Sequence, residues 1–252
     1  EWASPEGQIQ VALSDARYGE ATLETASLNA EGDGQDFSVE ASLEGKWQDV
    51  SPLNAEMAAT VRDNATSVTL ERLNGQFEDY PFSIAESARL QREDNRWSVY
   101  DFMLNIADSE VALDGNYGPE QVGIKASWER VPLALASLAV GPEMAGQTSG
   151  TLSVSGTPAA PLVRVSGQID GVRVDGEVAG EAATADLRFD GRLKEGYGYI
   201  ELTGNAGNLL EAQGQGRVPL ELSLSPWVFA MPPQEPIEGS LRASGDLKVV
   251  KL

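Results

Sequence analysis

The sequence predicts an all-β protein built around a long, mostly antiparallel sheet. The main observation is a period of two, in which apolar residues alternate with Glu, Asp, Gln, Ser and Thr. Such alternation places one face of a strand against a core and the other against water. Buried parallel strands would show continuous Val and Ile runs instead. Helical periodicity is scarce, and glycine, at 26 residues, is more frequent than is usual.

The alternation marks strands along the whole chain. The clearest runs are residues 9–13, 37–43, 68–70, 111–113, 152–154, 172–174, 187–189 and 220–224. A strand of about 8 residues spans about 27 Å, and about 16 such strands would form a sheet roughly 75 Å long. The sequence therefore predicts an elongated sheet.

A five-residue unit recurs, with a central glycine and apolar residues two positions before and after it. The copies are centred on Gly75, Gly115, Gly167, Gly176, Gly191 and Gly239. Asp-Gly and Asn-Gly can form type I′ turns, which would place a hairpin at each glycine. Alternatively the strand continues, and the glycine lets the sheet bend or another group approach its inner face. The constant apolar phase favours the continuous strand.

Two segments interrupt the strand pattern. Pro132 at a first-turn position, followed by Leu133, Leu135 and Leu138, predicts one short helix over about 131–140. The apolar segment 226–233 is bounded by prolines and predicts a helical turn or an irregular connection. These interruptions give predicted modules at 1–127, 128–225 and 226–252, the last being the start of a further module.

Composition excludes several classes of function. The chain has 252 residues, a formal net charge of −21, no Cys and no His. A Ser-His-Asp or Cys-His catalytic system is therefore impossible within it, and so are zinc sites of thiolate and imidazole. A pI near 4.2 argues against nucleic acid and anionic lipid surfaces as partners. Apolar residues make up 41 %, which is enough for a folded core.

No apolar run approaches the roughly 18–20 residues of a membrane-spanning helix, and no signal peptide is recognisable. Since the chain begins at Glu1, we expect a mature segment or an internal fragment.

Acidic residues beside aromatic residues are candidates for glycosidase chemistry. They are Asp49, Glu78, Asp79 and Asp101, beside Trp47, Tyr80 and Trp97. In a chain with 39 acidic residues, solvated strand faces explain such pairs better, so we expect no catalytic residues, no cofactor and no enzyme activity.

The segment 32–37 matches one turn of a calcium-binding β-roll repeat, but no second turn follows it. A polar hairpin is the favoured interpretation, and we expect no metal site. The tryptophans 47, 97, 128 and 227 could stack on sugars, although packing is the more common role of Trp. Trp128 is expected to seat the short helix against the sheet.

Three stretches resemble the TamB family, the inner-membrane-anchored subunit of the translocation and assembly module of Gram-negative envelopes. The most specific is GTLSVSGTPAAPLV at 150–163, preceded by WERVPLAL at 128–135. The segments 216–226 and 236–241 are similar in style. The resemblance covers about 128–252. Residues 1–127 agree only in the general sequence pattern, which related AsmA-like proteins share.

The resemblance implies a β-taco, a twisted sheet folded into a U-shaped trough with an apolar interior. Members of this family span the periplasm, are tethered to the inner membrane and pair with an outer-membrane TamA-like barrel. They are implicated in phospholipid transport and in the insertion of outer-membrane proteins. This chain would be an internal fragment of such a protein, without the membrane anchor.

A sheet with one apolar face must fold on itself or bind something apolar. A lipid chain suits a groove without polar specificity, and the resemblance implies that the ligand is the acyl chain of a phospholipid. The predicted groove-lining residues are Leu73, Phe77, Leu113, Tyr117, Leu152, Val154, Val165, Ile169, Val174, Val178, Leu187, Phe189, Leu193, Leu220, Leu222 and Leu224. Two other functions stay open: a chaperone-like scaffold that binds unfolded outer-membrane strands at its sheet edges, and a secreted carbohydrate-active protein.

Overall fold

The protein is all-β and antiparallel, as the sequence predicts. The computed structural model describes residues 6–18, 21–33, 35–47, 51–62, 66–135, 144–174, 184–206, 210–232 and 236–245. The chain divides into two compact units, Glu1–Asn116 and Tyr117–Leu252. The predicted module boundary after residue 127 stays a prediction, and so does the U-shaped closure. Among the described residues, no helix is long and apolar enough to cross a membrane.

Unit 1 is an antiparallel sheet of consecutive strands joined by short connections. The strands are β1 (Gly7–Tyr18), β2 (Ala21–Gly32), β3 (Phe37–Trp47), β4 (Ser51–Arg62), β5 (Ser67–Phe77), β6 (Tyr80–Ile84), β7 (Ala88–Glu93), β8 (Arg96–Ile106) and β9 (Ser109–Tyr117). The last residue of β9, Tyr117, belongs to unit 2. They follow chain order, except that β6 and β7 both lie between β5 and β8. Each strand therefore pairs mainly with its neighbours in sequence.

Unit 2 repeats this arrangement. Its strands are β10 (Val122–Pro132), β11 (Met144–Thr157), β12 (Ala160–Val174), β13 (Ala185–Lys194), β14 (Tyr197–Ala206), β15 (Leu210–Pro219), β16 (Glu221–Leu224), β17 (Trp227–Ala230) and β18 (Glu238–Gly245). The order is β10-β11-β12-β13-β14-β15-β18, while β16 and β17 form a separate hairpin. The sheet thus continues from β15 to β18, and the hairpin is inserted between them.

The strands continue through the glycine units, as the constant spacing of the apolar residues two positions before and after each glycine predicted. Gly75, Gly115, Gly167, Gly191 and Gly239 each lie inside a strand. The copy centred on residue 176 lies outside the described residues. β12, which runs through Gly167, reaches 15 residues, and β11 reaches 14, both well beyond the strand length of about 8 that we expected.

The two predicted interruptions differ in outcome. Only Leu133–Leu135 is helical within the described part of the segment 131–140, and β10 extends as far as Pro132. The prediction of a helical turn or irregular connection over 226–233 is wrong for Trp227–Ala230, which is strand β17. Cross-strand pairing of Leu222 with Phe229 and of Leu224 with Trp227 explains the difference, because the partner strand lies just before the proline and makes a hairpin possible.

Few aliphatic side chains are buried in the described residues. Among the described residues of unit 1 they are Ala59, Val61 and Ala88, and in unit 2 they are Val122, Leu133 and Leu193. Most other inward apolar side chains are half-buried, as in Leu73 and Phe189. In the described residues, each unit therefore presents a wide apolar surface and only a few buried apolar side chains.

Candidate functional site

The apolar face of unit 2 is continuous across seven strands. Directly paired residues in an antiparallel sheet share a face, so the register defines rows that cross the sheet. Row A is Ile124, Val154, Val163, Leu193, Gly198 and Val218; row B is Ala126, Leu152, Val165, Gly191, Ile200, Gly216 and Gly239; row C is Trp128, Gly150, Gly167, Phe189, Leu202, Gly214 and Leu241. Every residue in these rows is apolar or glycine. A row of seven residues spans about 29 Å.

The glycines of this face form a floor on which neighbouring side chains rest. A Cβ atom on Gly150 would lie 2.5 Å from Trp128 Cζ2, and one on Gly167 would lie 2.8 Å from Phe189 Cζ. Because Gly150 pairs with Gly167, the two rings converge from opposite sides over the same pair of glycines. The backbone oxygens of Ser166 and Ser149 are also close, each 2.5 Å from the Cβ position of Gly150 and Gly167 respectively, so these glycines admit both the neighbouring backbone and the neighbouring ring.

Trp128 is held in place by its polar edge. Its Nε1 donates a hydrogen bond to Thr148 Oγ1 at 3.1 Å, and the Thr148 hydroxyl donates to the Gln168 carbonyl at 3.1 Å. The register of β10 shifts between Trp128 and Val131, and Arg130 there has φ of 54°. This bulge bends the strand just after the indole. Trp128 therefore packs on the sheet floor, and its predicted role in seating the helix stays a prediction.

Exposure of the apolar face rises toward β18. Leu193 is 8 % exposed, Ile200 and Leu202 about two-fifths exposed, and Leu241 75 % exposed. Binding of another apolar group to an apolar surface that is exposed to water lowers the free energy, because it removes that surface from water. The face is therefore chemically suited to hydrocarbon, and its polar pair, Trp128 Nε1 and Thr148 Oγ1, is already hydrogen-bonded internally.

Unit 1 presents a similar face. Its rows are Ile9, Ala30, Val39, Ala59, Leu70 and Ala88; Val11, Leu28, Ala41, Met57 and Leu73; and Leu13, Ala26, Leu43, Ala55, Gly75, Phe82 and Ile106. In the first strand, Ile9 is 63 % and Leu13 54 % exposed. Each unit thus carries an apolar face of its own.

Most predicted groove residues lie in the main strands. The structure places Leu73 and Phe77 in β5, Leu113 and Tyr117 in β9, Leu152 and Val154 in β11, Val165 and Ile169 in β12, and Leu187, Phe189 and Leu193 in β13. Val174 is the last residue of β12, and Val178 lies outside the described residues. Those in β11–β13 share the unit 2 face by register. The assignment of all these residues to a lipid groove stays a prediction.

Three predicted residues belong to the inserted hairpin region. Leu222 and Leu224 lie in β16, and Leu220 precedes it. The Leu220 Cδ2 atom lies 3.6 Å from the Cβ position of Gly198, so it covers the end of row A. The Leu224 N–H donates to the Pro158 carbonyl at 2.7 Å, and the Tyr117 hydroxyl donates to the Leu224 carbonyl at 3.2 Å. The hairpin therefore closes one margin of the unit 2 face.

The opposite face of the sheet is polar. In β13, the residues Asp186, Arg188, Asp190, Arg192 and Lys194 are all exposed and alternate with the apolar face. The charge sits on this side, which keeps the sheet soluble despite its apolar surface. One sheet thus separates an apolar side from a charged side.

Metal-binding side chains do not cluster in the described residues, whereas the expectation of no catalytic residues stays a prediction and its candidate Asp49 lies outside the described residues. No group of three or more acidic side chains there lies close enough to hold a metal ion. Asp33 Oδ1 instead accepts the backbone N–H groups of Asp36 and Gln35 at 2.8 Å each, which lowers the pKa of this exposed carboxyl. The turn between β2 and β3 is therefore the polar hairpin that the sequence favoured.

Sequence reasoning missed the partners of the predicted residues. Ile200, Leu202 and Leu241 complete the rows, and Trp128 and Gly150 form part of the floor. Their alternation was visible in the sequence, but the register that joins the strands was not.

Comparison with protein-family models, with curated proteins and with solved structures found no match to this chain. The resemblance to the TamB family therefore stays a prediction.

Proposed function

We propose that this chain is a non-enzymatic segment of an envelope protein that carries phospholipid on the apolar faces of its sheets. The observation that carries the proposal is the set of rows A–C, in which seven adjacent strands contribute only apolar residues and glycine. A row is about 29 Å long. The hydrocarbon core of a bilayer is about 30 Å thick, so the acyl chains of one leaflet extend over about half of that distance. One row is therefore long enough to shield an acyl chain.

The chemistry of the face favours hydrocarbon over sugar or protein strands as the bound group. A sugar site needs polar groups that fix hydroxyls, and the one polar group in rows A–C, the indole N–H of Trp128, already donates to Thr148 Oγ1. The wide, half-exposed surface also lacks the deep enclosed pocket that would select one molecule. These features support a carrier of low specificity.

The location and partners follow from the resemblance. In this proposal the full protein spans the periplasm of a Gram-negative bacterium, is tethered to the inner membrane, and meets a TamA-like outer-membrane barrel. Its cargo would be phospholipid acyl chains, with unfolded outer-membrane proteins as a further class of client. The acidic polar face gives such a protein solubility in that compartment.

A direct test is lipid analysis of the protein purified without detergent. We expect phospholipid to copurify with the parent chain and to be detected by mass spectrometry after solvent extraction. The matched variants are Phe189→Asp on the apolar face and Arg188→Asp on the polar face of the same strand. A carboxylate in row C costs several kcal/mol if lipid excludes water there. Lipid should therefore be lost from the Phe189→Asp variant only.

Misfolding would imitate this result, so both variants must first show the parent β-sheet spectrum by circular dichroism. Absence of lipid in the parent chain, or equal lipid in two folded variants, would contradict the proposal. The same Asp substitution at Leu113 extends the test to β9.

A second candidate function is binding of unfolded β-strands at a sheet edge. It is favoured by β1, a strand of 12 residues without Pro or Lys, for which β2 is the one partner within the described residues. Long edges of this kind pair readily with added strands. Binding of a fluorescent outer-membrane barrel peptide should be abolished by Val11→Lys in this strand and kept by Arg188→Asp. Equal binding by both variants would remove this candidate.

A further inference from the structure

A row of basic and aromatic residues crosses the polar face of unit 2. The register joins Lys125 to Ser153, Ser153 to Arg164, Arg164 to Arg192, Arg192 to Tyr199 and Tyr199 to Arg217. The register continues from Arg217 to the acidic Glu238 at the end of the row. We call the six residues from Lys125 to Arg217 the basic row. Four of the six carry a positive charge, in a chain whose net charge is −21. The row lies on the opposite face from rows A–C, so it is independent of the proposed lipid surface.

Two arginines of the basic row oppose each other directly. Arg164 pairs with Arg192 across β12 and β13, and both side chains are exposed. Like charges in directly opposite positions destabilise a sheet. A local arrangement that works against stability is a reason to look for a ligand that reverses the effect.

The aromatic residues orient the guanidinium groups. Arg192 Cζ lies 5.0 Å from the ring centroid of Tyr199, and Arg217 Cζ lies 3.7 Å from that of Tyr197. A guanidinium stacked on a ring keeps its N–H edge free for a second interaction. In addition, Arg217 Nε is buried and has no hydrogen-bond partner among the described residues. The row therefore holds donors in fixed positions.

The acidic neighbours leave these donors available. Asp190 and Glu201 lie one row away on the same face, yet neither forms an ion pair with Arg164 or Arg192 in the described part of the chain. Glu238 approaches Arg217 at 3.8 Å, but both side chains are more than one-third exposed. Such an exposed pair contributes little.

We propose that Arg164, Arg192 and Arg217 form a binding site for a phosphate group. A phosphate monoester carries about −1.5 to −2 charges and three acceptor oxygens, so one group can accept hydrogen bonds from two opposed guanidiniums at once. Its charge would replace the repulsion between Arg164 and Arg192 with attraction to both. The hydroxyl of Ser153, opposite Arg164, adds a neutral donor beside the site.

The test uses inorganic phosphate and the full chain, with ³¹P NMR line broadening as the measure of binding. Arg192→Gln removes one of the opposed cations, and Arg188→Gln is the matched control on the same strand and face. We expect phosphate affinity to fall roughly tenfold in Arg192→Gln, because a charge-assisted hydrogen bond is lost. The control should bind like the parent. In sodium chloride alone, Arg192→Gln should melt no lower than the parent, since it relieves repulsion.

A second arm identifies the source of the phosphate. Vesicles of phosphatidylcholine with and without phosphatidic acid are tested by flotation. Binding to the phosphatidic acid vesicles that Arg192→Gln abolishes would support a lipid headgroup as the source. Binding of inorganic phosphate without vesicle binding would support a free phosphate compound. If phosphate binds the parent, Arg192→Gln and Arg188→Gln equally, or if chloride of equal ionic strength competes it away, the proposed site is wrong.

Discussion

Gly191 offers the sharpest test of the glycine floor, because a single methyl group occupies the space that a Cβ would need. A Cβ on Gly191 would lie 2.8 Å from Val165 Cγ1, while the next atoms, the backbone oxygens of Tyr199 and Val165, lie at 3.7 and 3.8 Å. The branched Val165 side chain is restricted at χ1 and cannot turn away freely. We therefore expect Gly191→Ala to overpack the face.

The magnitude follows from two opposing effects. Overpacking costs about 1–3 kcal/mol, and replacing glycine by alanine within a strand returns about 0.5–1 kcal/mol. The free energy of unfolding should therefore fall by about 1 kcal/mol in Gly191→Ala. In a Val165→Ala background the obstructing methyl is absent, so the same substitution should be neutral or stabilising by about 0.5–1 kcal/mol.

The assay is a double-mutant cycle of Gly191→Ala and Val165→Ala, in which urea unfolding of each variant is monitored by far-UV circular dichroism. The coupling energy between the two positions should be about 1–3 kcal/mol with unchanged m-values. If Gly191→Ala destabilised both backgrounds equally, the glycine would be needed for its backbone conformation. The side-chain floor would then be wrong at this position.

Three further predictions concern stability. Gly198→Ala should raise the free energy of unfolding by about 0.5–1 kcal/mol in urea, because the nearest atom to its Cβ position is at 3.6 Å; a loss would contradict the described packing. Trp128→Phe should cost about 0.5–1.5 kcal/mol in the same assay through the hydrogen bond to Thr148, and no change would mean that the bond is not formed. Backbone hydrogen bonds lower the pKa of Asp33 in the folded protein. Its contribution to the free energy of unfolding is therefore present above the pKa of the unfolded carboxyl and is lost as pH falls through the pKa of the folded one. The melting temperature of Asp33→Ala should thus approach that of the parent in acid, and a constant gap across pH would refute this linkage.

The period of two was sufficient to predict which residues face the same side of a strand. Leu187, Phe189 and Leu193 were assigned together from alternation alone, and the register confirms that they lie on one face. Alternation is a local property that burial imposes on each strand separately. The fold class could therefore be predicted before any pairing was known.

Pairing between strands could not be predicted in the same way. The contact of Phe189 with Gly167 depends on which residues stand opposite each other, and a shift of one residue would move every side chain to the other face. Strand length was underestimated as well, since β11 runs through Gly150 for 14 residues where about 8 were expected. The β16–β17 hairpin was missed because Pro226 was treated as a break, although a proline can occupy the turn of a hairpin.

Site-specific photocrosslinking tests the lipid-carrying claim most directly. A benzophenone amino acid is placed at Leu202 on the apolar face or at its neighbour Glu201 on the polar face, and cells expressing the full-length protein are irradiated. The account predicts covalent phospholipid adducts, identified by mass spectrometry, at position 202 and none at position 201. Equal labelling at both positions, or no adduct at position 202 in a folded protein, would contradict it.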